Sequence, residues 1–176
     1  QTVSGKAVPA GFATGNANYR NGVTFGSSAK ANVVRVLSSG GDIVIRGRTQ
    51  FNWGYLAYAG TNVNSGAGKL TVNANLYGSA GQQTIRLGMG GGRTIPTYFI
   101  SDSTQSAALT IQATNTSNVA TWGIYIDEGG TAYGNMVNFV GRGGVDIDAT
   151  NSTYLYSLRL RNTNILAAQG GVTSLR

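Results

Sequence analysis

The stretch Leu109-Thr110-Ile111-Gln112-Ala113 follows a short pattern that recurs along the chain: apolar, polar, apolar, polar, small. Alternation with a period of two places one set of side chains inward and the other outward, as in a β-strand with one buried face. Residues 43–47, 70–74 and 145–149 carry the same pattern, and a fifth copy begins at Val172. The first residues of the five copies are separated by 27, 39, 36 and 27 positions, so the outer units share a length and the inner two are longer.

A second strand is expected at a comparable place in each unit, at residues 56–58, 85–87, 124–126 and 158–160. The unit that begins at Ile43 aligns with the unit that begins at Val145 without a gap, and this alignment matches Leu56 with Leu158. A weaker unit is expected from Val23 onward, preceded by an irregular lead-in or N-terminal coil over residues 1–22. Such self-similarity is typical of a solenoid, in which each unit packs on its neighbours.

Stacking these units places equivalent residues in columns. The first and third positions form aliphatic columns, and the fifth forms a small-residue corner: Ile43, Leu70, Leu109, Val145; Ile45, Val72, Ile111, Ile147; and Gly47, Ala74, Ala113, Ala149. An antiparallel sandwich or barrel also has short strands, but it requires no small residue at one place in every unit. The prediction is therefore an all-β parallel β-helix of about five or six coils over residues 23–176, truncated mid-repeat. Inserts at about 88–107 and 128–143 are expected to form loops or a small side sheet outside the helix.

The composition excludes several kinds of chemistry. The chain has 176 residues, of which 41% are hydrophobic and 11% charged, so it can bury a core and is too apolar for disorder. It has no cysteine and no histidine, which excludes disulfides, thiolate or imidazole metal sites and a Ser-His-Asp triad. No stretch is long enough to span a bilayer. The net charge of +7 fits binding to an anionic partner, and equally fits the solubility of a glycine-rich surface.

The acidic residues and the glycine run suggest no catalytic, metal or cofactor site. Asp146 and Asp148 point the same way from one strand, but no aligned position supplies another carboxylate, so they are interpreted as solvent-facing residues near Arg159 and Arg161. The pair at 127–128 is interpreted as a turn. Residues 88–93 are rich in glycine but lack a phosphate-binding lysine, and they are expected to form the loop that opens the first insert.

Arginine and tyrosine supply the candidate ligand-binding residues. The outward column of the second strand is predicted to be Ala57, Arg86, Tyr125 and Arg159, which places Tyr125 between two guanidinium groups. Such stacking contributes about 0.5 to 1 kcal/mol at an exposed site, so stability alone explains it as well. Other outward arginines, Arg161 among them, extend a positive stripe suited to sulfated or phosphorylated saccharides. No nucleic-acid recognition motif accompanies the charge.

The inserts are the second candidate region, because extra residues in a solenoid often carry binding. They are expected to expose Tyr98 and Tyr133, while the alternative is that their apolar residues cover the flank of the rod. The complete candidate set is Arg86, Tyr125, Arg159, Arg161, Tyr98 and Tyr133.

The stretches GGVDIDATN (143–151), LRLRNTNI (158–165) and AQGGV (168–172) resemble the repeats of filamentous-haemagglutinin-like exoproteins. These are passengers of two-partner secretion and include the contact-dependent growth-inhibition exoproteins of Gram-negative bacteria. The resemblance covers roughly residues 23–176 and implies a right-handed β-helix, secreted and displayed on the bacterial cell surface. It also implies a non-enzymatic adhesion or receptor-recognition segment within a longer exoprotein.

The partner expected from this resemblance is a cell-surface glycan, or an outer-membrane or host receptor. The two inserts depart from the plain family repeat. Two alternatives stay open: a β-helical enzyme that degrades acidic polysaccharide, and a fibre subunit that associates with itself end to end.

Overall fold

A computed structural model describes residues 2–4, 21–26, 33–78, 83–90, 95–117, 122–126, 136–151, 157–168 and 170–176. These residues form sixteen strands in three sheets, numbered in chain order. Sheet A contains β1 (Thr2–Ser4), β4 (Ile43–Thr49), β7 (Leu70–Leu76), β10 (Leu109–Asn115), β13 (Gly144–Asn151) and β16 (Val172–Leu175). Sheet B contains β2 (Val23–Phe25), β5 (Tyr55–Tyr58), β8 (Ile85–Met89), β11 (Ile124–Ile126) and β14 (Leu158–Leu160). Sheet C contains β3 (Val34–Leu37), β6 (Thr61–Asn64), β9 (Thr97–Ser101), β12 (Val137–Gly141) and β15 (Thr163–Ala167).

Every third strand belongs to the same sheet, so each coil of the chain adds one strand to sheet A, one to sheet B and one to sheet C. Neighbouring strands pair in parallel, for example β7 with β10, β8 with β11 and β9 with β12. This arrangement is a parallel β-solenoid, and the predicted fold is confirmed. The described part of the chain contains no helix that is long and apolar enough to cross a membrane.

The register of sheet A follows the sequence repeat. Ile43 lies opposite Leu70, Leu70 opposite Leu109, and Leu109 opposite Val145. The predicted first and third columns face the interior, and their side chains have no exposed surface. Burying one such aliphatic side chain contributes about 1.5 to 3 kcal/mol, so this stacked core dominates the stability of the coil.

The last strand departs from the predicted register by one residue. Val172 pairs with Gly144 rather than Val145, so Thr173 lies opposite Val145. Because side chains alternate along a strand, a shift of one residue moves Val172 away from the interior, and it is 74% exposed. The prediction that Val172 begins a fifth copy of the inward column is therefore wrong. At the other edge of sheet A, Val3 pairs with Ile45, within the segment expected to form the lead-in or N-terminal coil.

The predicted side sheet is also wrong. Strands β9 and β12, which fall within the two supposed inserts, pair with each other and lie between β6 and β15 in sheet C. Phe99 and Phe139 point into the solenoid and are fully buried. Only two residues, 59–60, separate the sheet B strand from the sheet C strand in the second coil, whereas seven residues, 90–96, separate them in the third. The longer connection moves the sheet C strand farther along the sequence from the sheet B strand of the same coil. The strand therefore did not fall at the spacing of the repeat and resembled an insertion.

An aromatic cluster fills the interior between sheets B and C. The ring centroids of Phe25 and Tyr55 are 5.6 Å apart, those of Tyr55 and Phe99 6.3 Å, and those of Phe99 and Phe139 5.6 Å. Tyr55 is fully buried, and its hydroxyl has no hydrogen-bond partner among the residues that the structure describes. Burial raises the pKa of this hydroxyl far above its usual value of 10.0, because the interior disfavours the phenolate.

Candidate functional site

A row of arginine and aromatic side chains stands on the outer face of sheet B. Arg86, Tyr125 and Arg159 occupy the same outward position on β8, β11 and β14, since Tyr125 pairs with Arg86 on one side and with Arg159 on the other. The residues that flank Tyr125 in the chain, Ile124 and Ile126, are buried in the core. Strand alternation therefore directs all three side chains away from the interior.

Tyr125 lies between two guanidinium groups, as predicted. The Cζ atom of Arg86 is 5.6 Å from the centre of the Tyr125 ring, and the Cζ atom of Arg159 is 5.3 Å from it. Both distances fall within the range of attractive cation–π contacts. At about 0.5 to 1 kcal/mol each, the two contacts favour an ordered stack over three independently mobile side chains.

Two tryptophans from the turns between sheets A and B extend the stack. The Arg86 Cζ atom lies 5.8 Å from the Trp53 ring, and the Arg159 Cζ atom lies 5.4 Å from the Trp122 ring. Trp122 also meets Tyr125 edge to face, with ring centroids 5.7 Å apart. We refer to Trp53, Arg86, Trp122, Tyr125 and Arg159 as the basic-aromatic ladder. In the ladder, cationic and aromatic side chains alternate along the solenoid axis.

The tryptophans were missed in the sequence, although a signal for them exists. Each is followed by a glycine and then by a sheet B strand, in the pairs Trp53-Gly54 and Trp122-Gly123. Their backbones join the stack of coils, because the Trp53 carbonyl accepts a 2.9 Å hydrogen bond from the Gly22 N–H and the Trp122 carbonyl a 3.0 Å bond from the Thr84 N–H. The Trp53 indole Nε1–H donates a 2.7 Å hydrogen bond to Gln83 Oε1, which fixes its ring.

The first member of the predicted column is wrong. Leu56, and not Ala57, lies opposite Arg86, while Ala57 lies opposite Leu87 and is buried in the core. The error arises because β5 begins one residue before the predicted strand, so Tyr55 is the inward partner of Ile85. Leu56 is only 1% exposed and lies outside the central core cluster.

The glycine run begins with a bulge in a strand. Ala57 pairs with Leu87 and Tyr58 with Met89, so Gly88 is an extra residue in β8. Its φ of +74° is a conformation that glycine adopts without strain. The loop expected to start at Gly88 therefore starts after Met89, and residues 91–94 lie outside the described part of the chain.

The remaining candidate residues do not join the ladder. Arg161 is exposed in the turn after β14, and its backbone N–H donates a 2.8 Å hydrogen bond to the Ile126 carbonyl. Tyr98 is half-buried on sheet C, opposite Asn62 and Asn138, and so lies on a different sheet from Tyr125. Tyr133 lies outside the described residues, as does the acidic pair at 127–128.

An ionic contact joins the aspartate pair on sheet A to Arg176. Arg176 Nη2 donates hydrogen bonds of 3.0 and 2.9 Å to the two carboxylate oxygens of Asp146 and lies 3.6 Å from Asp148 Oδ2. This contact with Arg176, which follows β16, was not predicted, and the expected proximity of the pair to Arg159 and Arg161 stays a prediction. Among the described residues, no three His, Cys, Asp or Glu side chains form a group that could hold a metal ion.

The ladder is suited to binding an anion. Stacking uses the faces of a guanidinium group, whereas its N–H donors lie in the plane and match the geometry of a carboxylate or sulfate.

Comparison of the chain with family models, with curated proteins and with solved structures gives no match.

Proposed function

We propose that the chain is a recognition segment of a secreted, filamentous-haemagglutinin-like exoprotein, which binds an anionic cell-surface polysaccharide through the basic-aromatic ladder. The observation that carries this proposal is the placement of Tyr125 between Arg86 and Arg159 on an outward face. The resemblance of the repeats to those exoproteins supplies the extracellular setting. The net charge of +7 supports attraction to a polyanion.

The spacing of the ladder indicates the kind of ligand. Arg86 and Arg159 are two strands apart, which corresponds to about 10 Å along the solenoid axis. A linear polysaccharide lying along that axis places successive sulfate or carboxylate groups against successive guanidinium groups. Between them, the partly exposed rings of Trp122 and Tyr125 offer apolar surface to the sugar rings, whereas Trp53 is only 8% exposed. A protein ligand with isolated acidic residues has no such repeat.

The test is binding to immobilised sulfated, carboxylated and neutral polysaccharides, with cell binding as a second readout. The variant is the double substitution Arg86→Gln with Tyr125→Leu, which removes one cation and the central ring. We expect the wild-type chain to bind the charged polysaccharides and the variant to lose at least about tenfold in affinity, because charge-assisted hydrogen bonds contribute about 1.5 to 3 kcal/mol each. Binding should also weaken as salt rises.

Two control variants distinguish binding by the ladder from a general effect of net charge and from a loss of folding. Arg46→Gln removes the same unit of charge from the outer face of sheet A and should change affinity little. Tyr125→Phe keeps the ring and should retain most of the binding. Equal losses in the Arg46 and Arg86 variants would show that only net charge matters, and an unchanged affinity in the double variant would exclude the ladder as the binding site.

A further inference from the structure

The turns between sheets C and A differ in length from coil to coil. They span residues 65–69, 102–108, 142–143 and 168–171 in four successive coils. The two-residue turn thus lies between two longer turns, which project past it on either side. The result is an open cleft of about 350 Å³, which we call the notch, lined by Thr104, Ser106, Arg142, Gly143, Gly170 and Gly171.

The floor of the notch is held by the backbone. The Arg142 N–H donates a 2.9 Å hydrogen bond to the Ser101 carbonyl, and the Gly143 N–H donates a 2.8 Å bond to the Ser103 carbonyl. A Cβ atom at Gly143 would come within 1.9 Å of the Gln105 carbonyl oxygen, so no larger residue fits there. The short turn therefore presents the Arg142 side chain at a defined place.

The walls of the notch are polar and uncharged. Thr104 and Ser106 contribute one side, and Gly170 and Gly171 contribute the other. The Lys69 ammonium donates a 3.0 Å hydrogen bond to the Ser106 carbonyl, which brings a second cation close to the wall. Asp102 belongs to the same turn as Thr104 but does not line the cleft.

Arg142 is the charged group of the notch. Its side chain is exposed, and its guanidinium makes no hydrogen bond or ion pair within the described ranges of the chain. Its five N–H donors are thus available to a ligand, and they match a planar or tetrahedral oxyanion. The described residues that line the cleft include no aromatic or acidic side chain, which disfavours apolar and cationic ligands.

We propose that the notch binds one sulfate or carboxylate group carried on a sugar, with Arg142 pairing with the oxyanion and Thr104 and Ser106 contacting the sugar hydroxyls. The volume lies within the range of about 300 to 1,000 Å³ that small-ligand sites occupy. The notch lies at the corner between sheets C and A, whereas the basic-aromatic ladder is on sheet B. The proposal is therefore independent of the ladder.

The test is a titration of the isotope-labelled protein, followed by the backbone amide resonances of Gly143, Gly170 and Gly171. The probes are glucose 6-sulfate, glucuronate, inorganic sulfate and glucose. We expect saturable shifts with the first two and none with glucose. Tighter binding of glucose 6-sulfate than of inorganic sulfate would support a sugar-borne group, whereas equal binding would overturn the sugar part of the proposal.

Two variants and one control complete the test. Arg142→Gln should weaken binding of glucose 6-sulfate at least about tenfold, because it removes the charge-assisted bonds. Gly170→Asn should also weaken binding, because it places a side chain at a residue that lines the cleft. The variant should still fold, since a Cβ there meets nothing within 4 Å. The φ of +85° also lies in the left-handed region, which asparagine tolerates best among residues with a side chain. Arg35→Gln removes an exposed charge from sheet C and should have no effect. The proposal fails if the wild type shows no saturable shift, or if the Arg142 and Arg35 variants behave alike.

Discussion

Sheets A and B belong to the same coils, yet they are built differently. In sheet A, β4, β7 and β10 are each seven residues long and pair without interruption. In sheet B the strands span three to five residues, and β8 contains the Gly88 bulge. The outer face of sheet B carries the stacked arginines and aromatics. Sheet A forms a regular scaffold, and sheet B gives this segment its individual surface.

This difference has a physical origin. Inward side chains contact the equivalent side chains of the coils above and below, so a change in one coil must suit both neighbours. Outward side chains meet solvent on one side and vary more freely. A bulge or a longer turn changes the outward surface without disturbing the aliphatic columns. Function is therefore expected where the repeat is least regular.

The largest effect is expected from a cavity in the core beside sheet A, compared with a substitution on the outer face of sheet B. Ile111→Ala should lower the free energy of unfolding by about 2 to 5 kcal/mol, because Ile111 is fully buried between Val72 and Ile147. Tyr125→Ala on the outer face of sheet B should cost less, about 1.5 to 3.5 kcal/mol, from its two cation–π contacts and its edge-to-face contact with Trp122. Urea unfolding measures both values. The control is Thr110→Ala, an outward position beside Ile111. Equal losses for Ile111 and Tyr125 would contradict the division between scaffold and surface.

A smaller effect is expected at the small-residue column of sheet A, whose members Gly47 and Ala113 lie inside strands β4 and β10 and not at the predicted corner. Gly47→Ala should cost about 1 to 3 kcal/mol, because a Cβ atom there would lie 1.9 Å from the Gly54 carbonyl oxygen. The aligned Ala113 accommodates its methyl group, so Ala113→Gly should cost only about 0.5 to 1 kcal/mol. Thermal unfolding of the two variants compares them. An unchanged midpoint for Gly47→Ala would show that this position in β4 tolerates a larger residue than the geometry allows.

The smallest expected effect at neutral pH concerns the inner side of sheet B. Tyr55→Phe removes a buried hydroxyl for which the described part of the chain supplies no partner, so it should leave stability unchanged or raise it by up to about 1 kcal/mol. The raised pKa of Tyr55 adds a pH dependence. Above the usual pKa of 10.0, the unfolded chain releases the phenolic proton while the folded chain retains it, so stability falls as pH rises past 10.

The measurement is urea unfolding of wild type and Tyr55→Phe at pH 8 and at pH 11. The wild type should lose more stability over this interval than the variant, since only the wild type has the buried phenol. An identical loss in both proteins would show that Tyr55 is not buried in the folded state as described.

The sequence predicted sheet A better than the rest of the molecule. The columns from Ile43 to Val145 were predicted correctly because alternation and spacing are local signals that stacking preserves. Sheet C was not predicted as a third sheet. The distance in sequence from the sheet B strand to the sheet C strand differs from coil to coil, so β9 and β12 do not follow a constant spacing. The register of Val172 depends on the exact number of residues in the preceding turn. The alternation of apolar and polar residues does not give that number.

The candidate site was predicted in part. The contacts of Tyr125 with Arg86 and Arg159 followed from the predicted register of β8, β11 and β14. The contributions of Trp53 and Trp122 come from turn residues, whose direction no periodic pattern specifies. The notch depends on the relative lengths of three turns, and this comparison requires the sheet C strands to be known first.

The most direct test of the ladder uses its own tryptophans. The chain has two tryptophans, and both contact ladder arginines: Trp122 is partly exposed and Trp53 lies just beneath the surface, so a change in tryptophan fluorescence reports on the ladder. Titration with a sulfated polysaccharide should produce a saturable change in that fluorescence, and Arg86→Gln with Arg159→Gln should abolish it. If the polysaccharide binds by an independent measurement while the fluorescence stays constant, the ladder is not the recognition surface.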